Sequence, residues 1–389
     1  MQMEWQRVPT AKALVPMVKH VRTFEVKQTV ALEESDHLVG EWQQAPPSSA
    51  VAMAFSHFLQ QAGDVPVGVI LSSWGSSAIE AWMPREMTST VPHFKTIMEE
   101  FDANQILQAE IKAIISKKRG WTKKEDILLR RQMNILYNAM IHPLSPYANR
   151  GLVWYQGERN SQSMEGMVRE PWHERHSGIL RYGDTLKQWI NTYRKLWNNE
   201  EMHFVVIMLP KYDKKYKTGP QKGPKNPASH SWAWMRESQL QALELSNTSV
   251  VNTIDLGYAS DIHPVDKVPV GQRAAAIAAN ATLEIETVAS GPVMKVVKQE
   301  GGSLVVSYNH AEGLKTIDGE APRGFWVAAK PNQWVRATAE INGTDIILSA
   351  KKVKKPLYVR YAFVGVPDVN LVNSAELPAL PFRTDTFAP

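Results

Sequence analysis

Four short apolar runs most constrain what this chain can fold into: residues 67–71 (Val-Gly-Val-Ile-Leu), 151–155 (Gly-Leu-Val-Trp-Tyr), 204–209 and 250–254. Each is too short for a helix and too uniformly apolar for a strand with one wet face. That pattern marks a strand buried on both faces. Helical stretches separate the runs: residues 48–62, amphipathic and capped by Ser48 or Ser49; a long polar region at 91–139; 179–197; and 232–245. With a further strand at residues 21–30, the alternation predicts an α/β fold with a doubly wound parallel sheet. After about residue 288 the texture changes. Short strands at 293–297, 304–308, 324–329, 340–341, 346–349 and 357–363, parted by Gly, Asn and Pro, predict a C-terminal all-β module resembling a small sandwich. The expected division is therefore 1–287 and 288–389, with no internal repeat.

Composition removes several function classes. Of 389 residues, 43% are apolar and 21% charged, an ordinary globular mix. The absence of Cys excludes disulfides, thiolate nucleophiles, zinc ribbons and iron–sulfur clusters. No apolar run approaches the roughly 18 residues of a membrane span, so no membrane insertion is expected. Met1-Gln2-Met3-Glu4-Trp5 carries no signal-peptide core, which leaves the chain as written cytoplasmic or unassigned. The net charge of +5 is concentrated at residues 211–225 and 351–355. The first run, with Tyr212 and Tyr216, is a Gly/Pro loop and the second has no aromatic residue, so both read as solvated segments rather than a nucleic-acid groove. Thirteen Trp suit a structural role first and the lining of a flat-ligand cleft second.

In parallel α/β sheets, ligands bind beyond the carboxyl ends of the strands. Ser72-Ser73-Trp74-Gly75-Ser76-Ser77 follows the first run, and its small residues let backbone N–H groups approach a ligand. Gln156-Gly157-Glu158-Arg159-Asn160 follows the second, and Asp255-Leu256-Gly257 with Asp261-Ile262-His263-Pro264 follows the fourth. Oxyanion donors, an imidazole base and an orienting acid are the set that acyl transfer needs. Singly, each also reads as a plain turn, a helix-capping network or a surface pair. His173-Glu174-Arg175-His176 has the wrong spacing for two zinc ligands on one helical face. No Gly-x-Ser-x-Gly elbow, phosphate loop or dinucleotide fingerprint occurs, and neither a metal nor a cofactor is implied.

Taken in order, Val67-Gly68-Val69-Ile70, Ser73-Trp74-Gly75, Ile79-Glu80-Ala81-Trp82, Leu136-Tyr137-Asn138-Ala139-Met140-Ile141-His142-Pro143-Leu144 and Trp154-Tyr155-Gln156-Gly157-Glu158-Arg159-Asn160 resemble the sialate O-acetylesterase family. Asp255-Leu256-Gly257, Asp261-Ile262-His263-Pro264, Lys267 and the tail from Arg360 through Asp385 continue the resemblance over nearly the whole chain. The family belongs to the SGNH (GDSL-like) hydrolases. The resemblance implies a flavodoxin-like three-layer sandwich that removes O-acetyl groups from sialic acids or related glycans through a serine. It further implies Gly75 (backbone N–H) and Asn160 (side-chain amide) as oxyanion donors, and His263 as the base. Asp261 is the orienting acid, with Glu158 and Asp255 as alternatives, and Gln156 is a substrate contact. The expected partner is an O-acetylated sugar, and the family's compartment is periplasmic or extracellular. One departure stands out. The family's nucleophile lies in Gly-Gln-Ser-Asn-Met-Glu, and Met3-Glu4 aligns with its end, so Met1 stands where the serine belongs. The expectation is an N-terminally truncated form without the nucleophile, because Ser72, Ser73, Ser76 and Ser77 sit beside Gly75 rather than opposite it. A non-catalytic carbohydrate-binding remnant and an acetylxylan esterase are the competing readings.

Overall fold

A computed structural model describes residues 3–117, 119–145, 147–161, 179–213, 227 and 231–387. Met1, the 173–176 segment and most of the basic run at 211–225 lie outside the described residues. Strand β1 (Val21–Glu25) pairs in parallel with β3 (Val67–Leu71), while the short β2 (Trp42–Gln43) lies antiparallel on the other edge of β1. A second sheet joins β4 (Gly151–Trp154), β5 (His203–Ile207) and β6 (Thr248–Val251), all parallel.

Strand β5 shows why the fold is doubly wound. It is flanked on both edges and buried from Phe204 to Ile207. Val205 and Ile207 join Val51, Val251, Val270, Ala274 and Ile277 on one face; Phe204 and Val206 meet the aromatic-rich core around Trp189 on the other. Alternate residues thus feed two helical layers, as the period of two demands.

Two strands depart from the expected burial on both faces. Gly68 in β3 and Gly151 in β4 are exposed, and Val153 is 37% exposed. The cause is topological. Each strand ends its own three-stranded sheet, and among the described residues neither outer edge has a strand partner.

The helix expected at 48–62 runs Ala50–Gly63, with Ser49 accepting from the Ala52 N–H at 3.4 Å. The polar region divides at its own caps into Pro92–Ala103, Gln105–Ile115 (Asn104 cap), Lys123–Leu129 (Thr122–Glu125 capping box) and Ile135–Met140. The helix Val268–Leu283 went unread in the sequence, because its alanine-rich run dilutes the apolar stripe. It packs so closely on Ala50–Gly63 that a Cβ at Gly271 would lie 2.6 Å from the Val51 carbonyl oxygen.

The C-terminal part is antiparallel throughout. One sheet orders β12 (Thr338–Asn342), β13 (Asp345–Ser349), β8 (Ser303–Asn309) and β7 (Val293–Glu300). The other orders β11 (Val335–Arg336), β10 (Phe325–Ala328), β14 (Tyr358–Tyr361) and β16 (Phe382–Arg383). A pair of short strands, β9 (Lys315–Thr316) and β15 (Leu371–Val372), closes it. Leu304, Val306, Ile346 and Leu348 of the first sheet share one core with Phe325, Val327, Val359 and Tyr361 of the second.

Buried guanidinium groups join this part to the α/β layers. Arg236, on the helix Ser231–Leu240, donates to the carbonyls of Leu209 (2.9 Å) and Pro210 (2.8 Å) and to those of Val364 (2.7 Å) and Gly365 (2.9 Å). Burial pushes its pKa down to about 9. Arg360 grips Asp385 bidentately at 2.7 and 2.6 Å, and Arg383 reaches Glu237 at 2.6 Å while stacking over Trp234. Burial pushes the Asp385 carboxyl up, but Arg360 and Arg383 outweigh it and hold its pKa below the ordinary value.

Arg236→Met should lower stability by about 3 kcal/mol, since the Leu209 and Val364 carbonyls lose this donor while Pro210 and Gly365 keep those from Trp232 Nε1 and the Tyr212 N–H; urea denaturation measures it. Asp385, with its depressed folded value, stabilises above the unfolded carboxylate pKa and loses that contribution as pH falls through the folded one. Asp385→Asn should therefore cost about 3 kcal/mol at pH 7 and make the melting temperature less sensitive to acid below about pH 4.

Candidate active site

The loop after β3 is built around two oriented peptide groups. Ser77 Oγ donates to the Trp74 carbonyl (2.8 Å) and accepts from Trp82 Nε1 (2.8 Å). Arg130 donates to the Gly75 carbonyl at 2.7 Å, and Ser76 takes a left-handed φ of 61°. Nothing lies within 4 Å of a Cβ built on Gly75, so neither its own φ nor its packing demands glycine there. The residue faces open space, and no acceptor among the described residues takes its N–H.

The loop after β4 turns sharply at Gly157, whose φ of +148° favours glycine and whose Cβ would press on Gln239 at 3.0 Å. That turn tucks Gln156 and Asn160 inward. Gln156 Nε2 donates to Ser77 O (3.1 Å) and Asn160 Oδ1 (2.7 Å), and its Oε1 accepts from the Tyr182 hydroxyl (2.7 Å). Gln156, expected to meet substrate, is thus buried, with both ends of its amide engaged inside the protein. Asn160 Oδ1 also accepts from the Ile79 N–H (3.1 Å), and its Nδ2 donates to the Glu80 carboxylate at 3.0 and 3.3 Å. These bonds bring the Gly75 and Asn160 loops together.

The loop after β6 holds two aspartates in different states. Asp255 is gripped bidentately by Arg273 at 2.7 and 2.6 Å, and Arg273 also donates to the Asn252 carbonyl. Asp261 accepts from the His263 backbone N–H (2.8 Å), and its carboxylate lies 3.8 Å from Nδ1. That separation is an ion contact rather than a hydrogen bond. Both side chains are exposed, His263 at 60% and Asp261 at 50%, and no described serine hydroxyl bonds His263. Ser72 and Ser77 hydroxyls donate to the carbonyls of Met140 and Trp74.

Lys267, which sequence reasoning quoted without a role, is fully buried with its ammonium 5.3 Å from the Tyr155 ring centre. Burial pushes its pKa down to about 8, against the pull of Glu158, Asp261 and Asp266. It stands in the electrostatic field of the second and third loops at once. Glu80 was likewise missed as a site residue, because its partner Asn160 is eighty residues away in sequence. Among the described residues no group of three or more His, Asp or Glu is placed to hold a metal ion, and no helix is long and apolar enough to cross a membrane.

A family model described as carbohydrate esterase, sialic acid-specific acetylesterase, matches residues 115–279. The sialate O-acetylesterase of Rattus norvegicus is 32% identical over 168 residues, covering 36% of this chain and 29% of that protein. That of Homo sapiens is 32% identical over 112 residues, covering 29% and 17%. The matched stretches therefore span less than a third of the curated relatives' length. The crystal structure of a carbohydrate acetylesterase from Xanthomonas citri superposes with a TM-score of 0.80 at 28% identity, covering 100% of this chain and 78% of that one. Fold and comparisons together make the chain similar to α/β carbohydrate esterases. Within that class, the chain is similar to the sialate O-acetylesterase family of carbohydrate esterases, through the family match at residues 115–279 and the curated relatives.

The two aspartates separate by stability. Asp255→Asn should cost about 1–2 kcal/mol through the loss of its partly buried pair with Arg273, whereas Asp261→Asn, at an exposed site, should stay within about 0.5 kcal/mol of wild type in urea denaturation.

Proposed function

We propose that the site serves O-deacetylation of sugars, sialic acids or related glycans, by acyl transfer. The observation that carries this reading is the joining of the Gly75 and Asn160 loops through the Ile79–Asn160 and Ser77–Gln156 hydrogen bonds. The ester carbonyl oxygen sits between the Gly75 N–H and Asn160 Nδ2, which stabilise the charge it gains in the tetrahedral intermediate. His263 takes the proton of the attacking serine hydroxyl as the O–C bond forms. It returns that proton to the sugar oxygen as the acyl–oxygen bond breaks. Water then repeats the sequence on the acetyl-enzyme and releases acetate. Asp261 orients His263, a reading supported over Asp255 by the bidentate engagement of Asp255 with Arg273. Lys267 supplies the counter-charge shared by Glu158 and Asp261.

The hydroxyl belongs at the position that Met1 occupies in the chain as written. A thioether has no proton to give, so a form with Met at that position should show no burst with p-nitrophenyl acetate and no labelling by a fluorophosphonate probe. Placing Gly-Gln-Ser at that position, on an added strand-forming segment, should restore both, and His263→Ala should then lower turnover at least ~1000-fold with the fold intact. Labelling of the chain as written at Ser72, Ser73, Ser76 or Ser77 would overturn the assignment. A non-catalytic carbohydrate-binding role is favoured by the exposure of His263 and its 3.8 Å separation from Asp261, and it predicts sugar binding with no labelling in either form.

A further inference from the structure

The turn Ser77–Trp82, read so far only as joining the two loops, touches both groups read above as oxyanion donors. Its contacts with them are made by different atoms of one short segment. Ser77 Oγ, itself fixed by Trp82 Nε1, donates to the Trp74 carbonyl. A trans peptide is planar, so pinning that carbonyl sends the Gly75 N–H in the opposite direction. The Ile79 N–H and Gln156 Nε2 hold Asn160 Oδ1 from two sides, at 3.1 and 2.7 Å. The Glu80 carboxylate accepts from Nδ2 through both oxygens. A carboxamide carries two amide hydrogens in one plane; once the oxygen and one hydrogen are held, the direction of the other is set.

From this geometry we infer that the Ser77–Trp82 turn aims both donors, with Glu80 as the positioning residue for Asn160 and Ser77 as the positioning residue for Gly75. The inference rests on reading Gly75 and Asn160 as the donors. Its energetic logic is preorganisation: a donor held in place before reaction needs no reorientation as charge develops. Glu80 suits the task better than a neutral acceptor, because charge-assisted bonds are shorter and stronger.

The test is spectroscopic first, so that it stands apart from activity. With selective ¹⁵N-Asn labelling, the Asn160 side-chain amide pair is identified by its loss in Asn160→Asp. In the wild-type protein the pair should give two well-separated proton signals with slow water exchange. Glu80→Ala should collapse the separation and speed exchange at least ~10-fold, while Glu80→Gln, which keeps an acceptor, should retain most of it. Ser77→Ala should move the Gly75 backbone amide signal and leave the Asn160 pair in place. If Glu80→Ala does not fold, Glu80→Met, which keeps side-chain length but removes the acceptor, takes its place: a collapsed Asn160 pair at a melting temperature within a few degrees of wild type supports the inference, and an unmoved pair overturns it. In the serine-bearing form, Glu80→Ala should lower kcat about 100-fold with KM within about two-fold, and Glu80→Gln should recover most of that loss. An Asn160 pair indifferent to Glu80→Ala, or a kcat loss that Glu80→Gln does not rescue, overturns the positioning role. If no form hydrolyses esters, the esterase reading falls, and the Asn160 signals still decide what Glu80 holds.

Discussion

The hydrogen bonds from the Ile79 N–H to Asn160 Oδ1 and from Gln156 Nε2 to Ser77 O are the joint on which the site depends. Strands β3 and β4 belong to different sheets and share no ladder, so their carboxyl ends are not aligned by backbone pairing. Two carboxamides take over that task. Behind them, Tyr182 and Gln239 fix Gln156 through its Oε1 and its backbone carbonyl, and Trp154 Nε1 in turn donates to Tyr182. A polar chain buried in this way orders its members strongly only when each is satisfied, and here the amides of Gln156 and Asn160 are engaged at both oxygen and nitrogen.

The third loop is anchored by other means. Arg236 ties the C-terminal part to the segment that leaves β5, Arg383 ties it to Glu237, and Asn252, just past β6, donates to the Pro378 and Ala379 carbonyls. The C-terminal sheets thus brace the strand from which the Asp261–His263 loop springs. The first two loops hang on side-chain amides, and the third on a wall of β-structure.

What the sequence made legible follows from the range of each interaction. Short apolar runs read as strands because burial on two faces leaves a local trace, and β5 displays it in full. Residue type drew attention to the loops at strand ends, and the family resemblance singled out Gly75, Asn160, Asp261 and His263 within them. Glu80 and Lys267 left no such trace, since a charge in a turn looks solvated until distant strands surround it. The open edges of β3 and β4 were equally hidden: their side chains are as apolar as those of β5, and only pairing order distinguishes them. The helix Val268–Leu283 escaped because alanines pack against Ala50–Gly63 by backbone proximity rather than by a stripe of large residues.

Those open edges bear on rigidity next to the site. In a doubly wound protein the inner strands are the slowest to exchange their amide hydrogens, and the periphery frays first. Here β5 has partners on both sides, while β3 and β4 each have one edge with no strand partner among the described residues, next to the loops that carry Gly75 and Asn160. An exposed row of that kind is a template for any extended chain that meets it. An open strand edge therefore lies beside the site as well as at the rim of the fold.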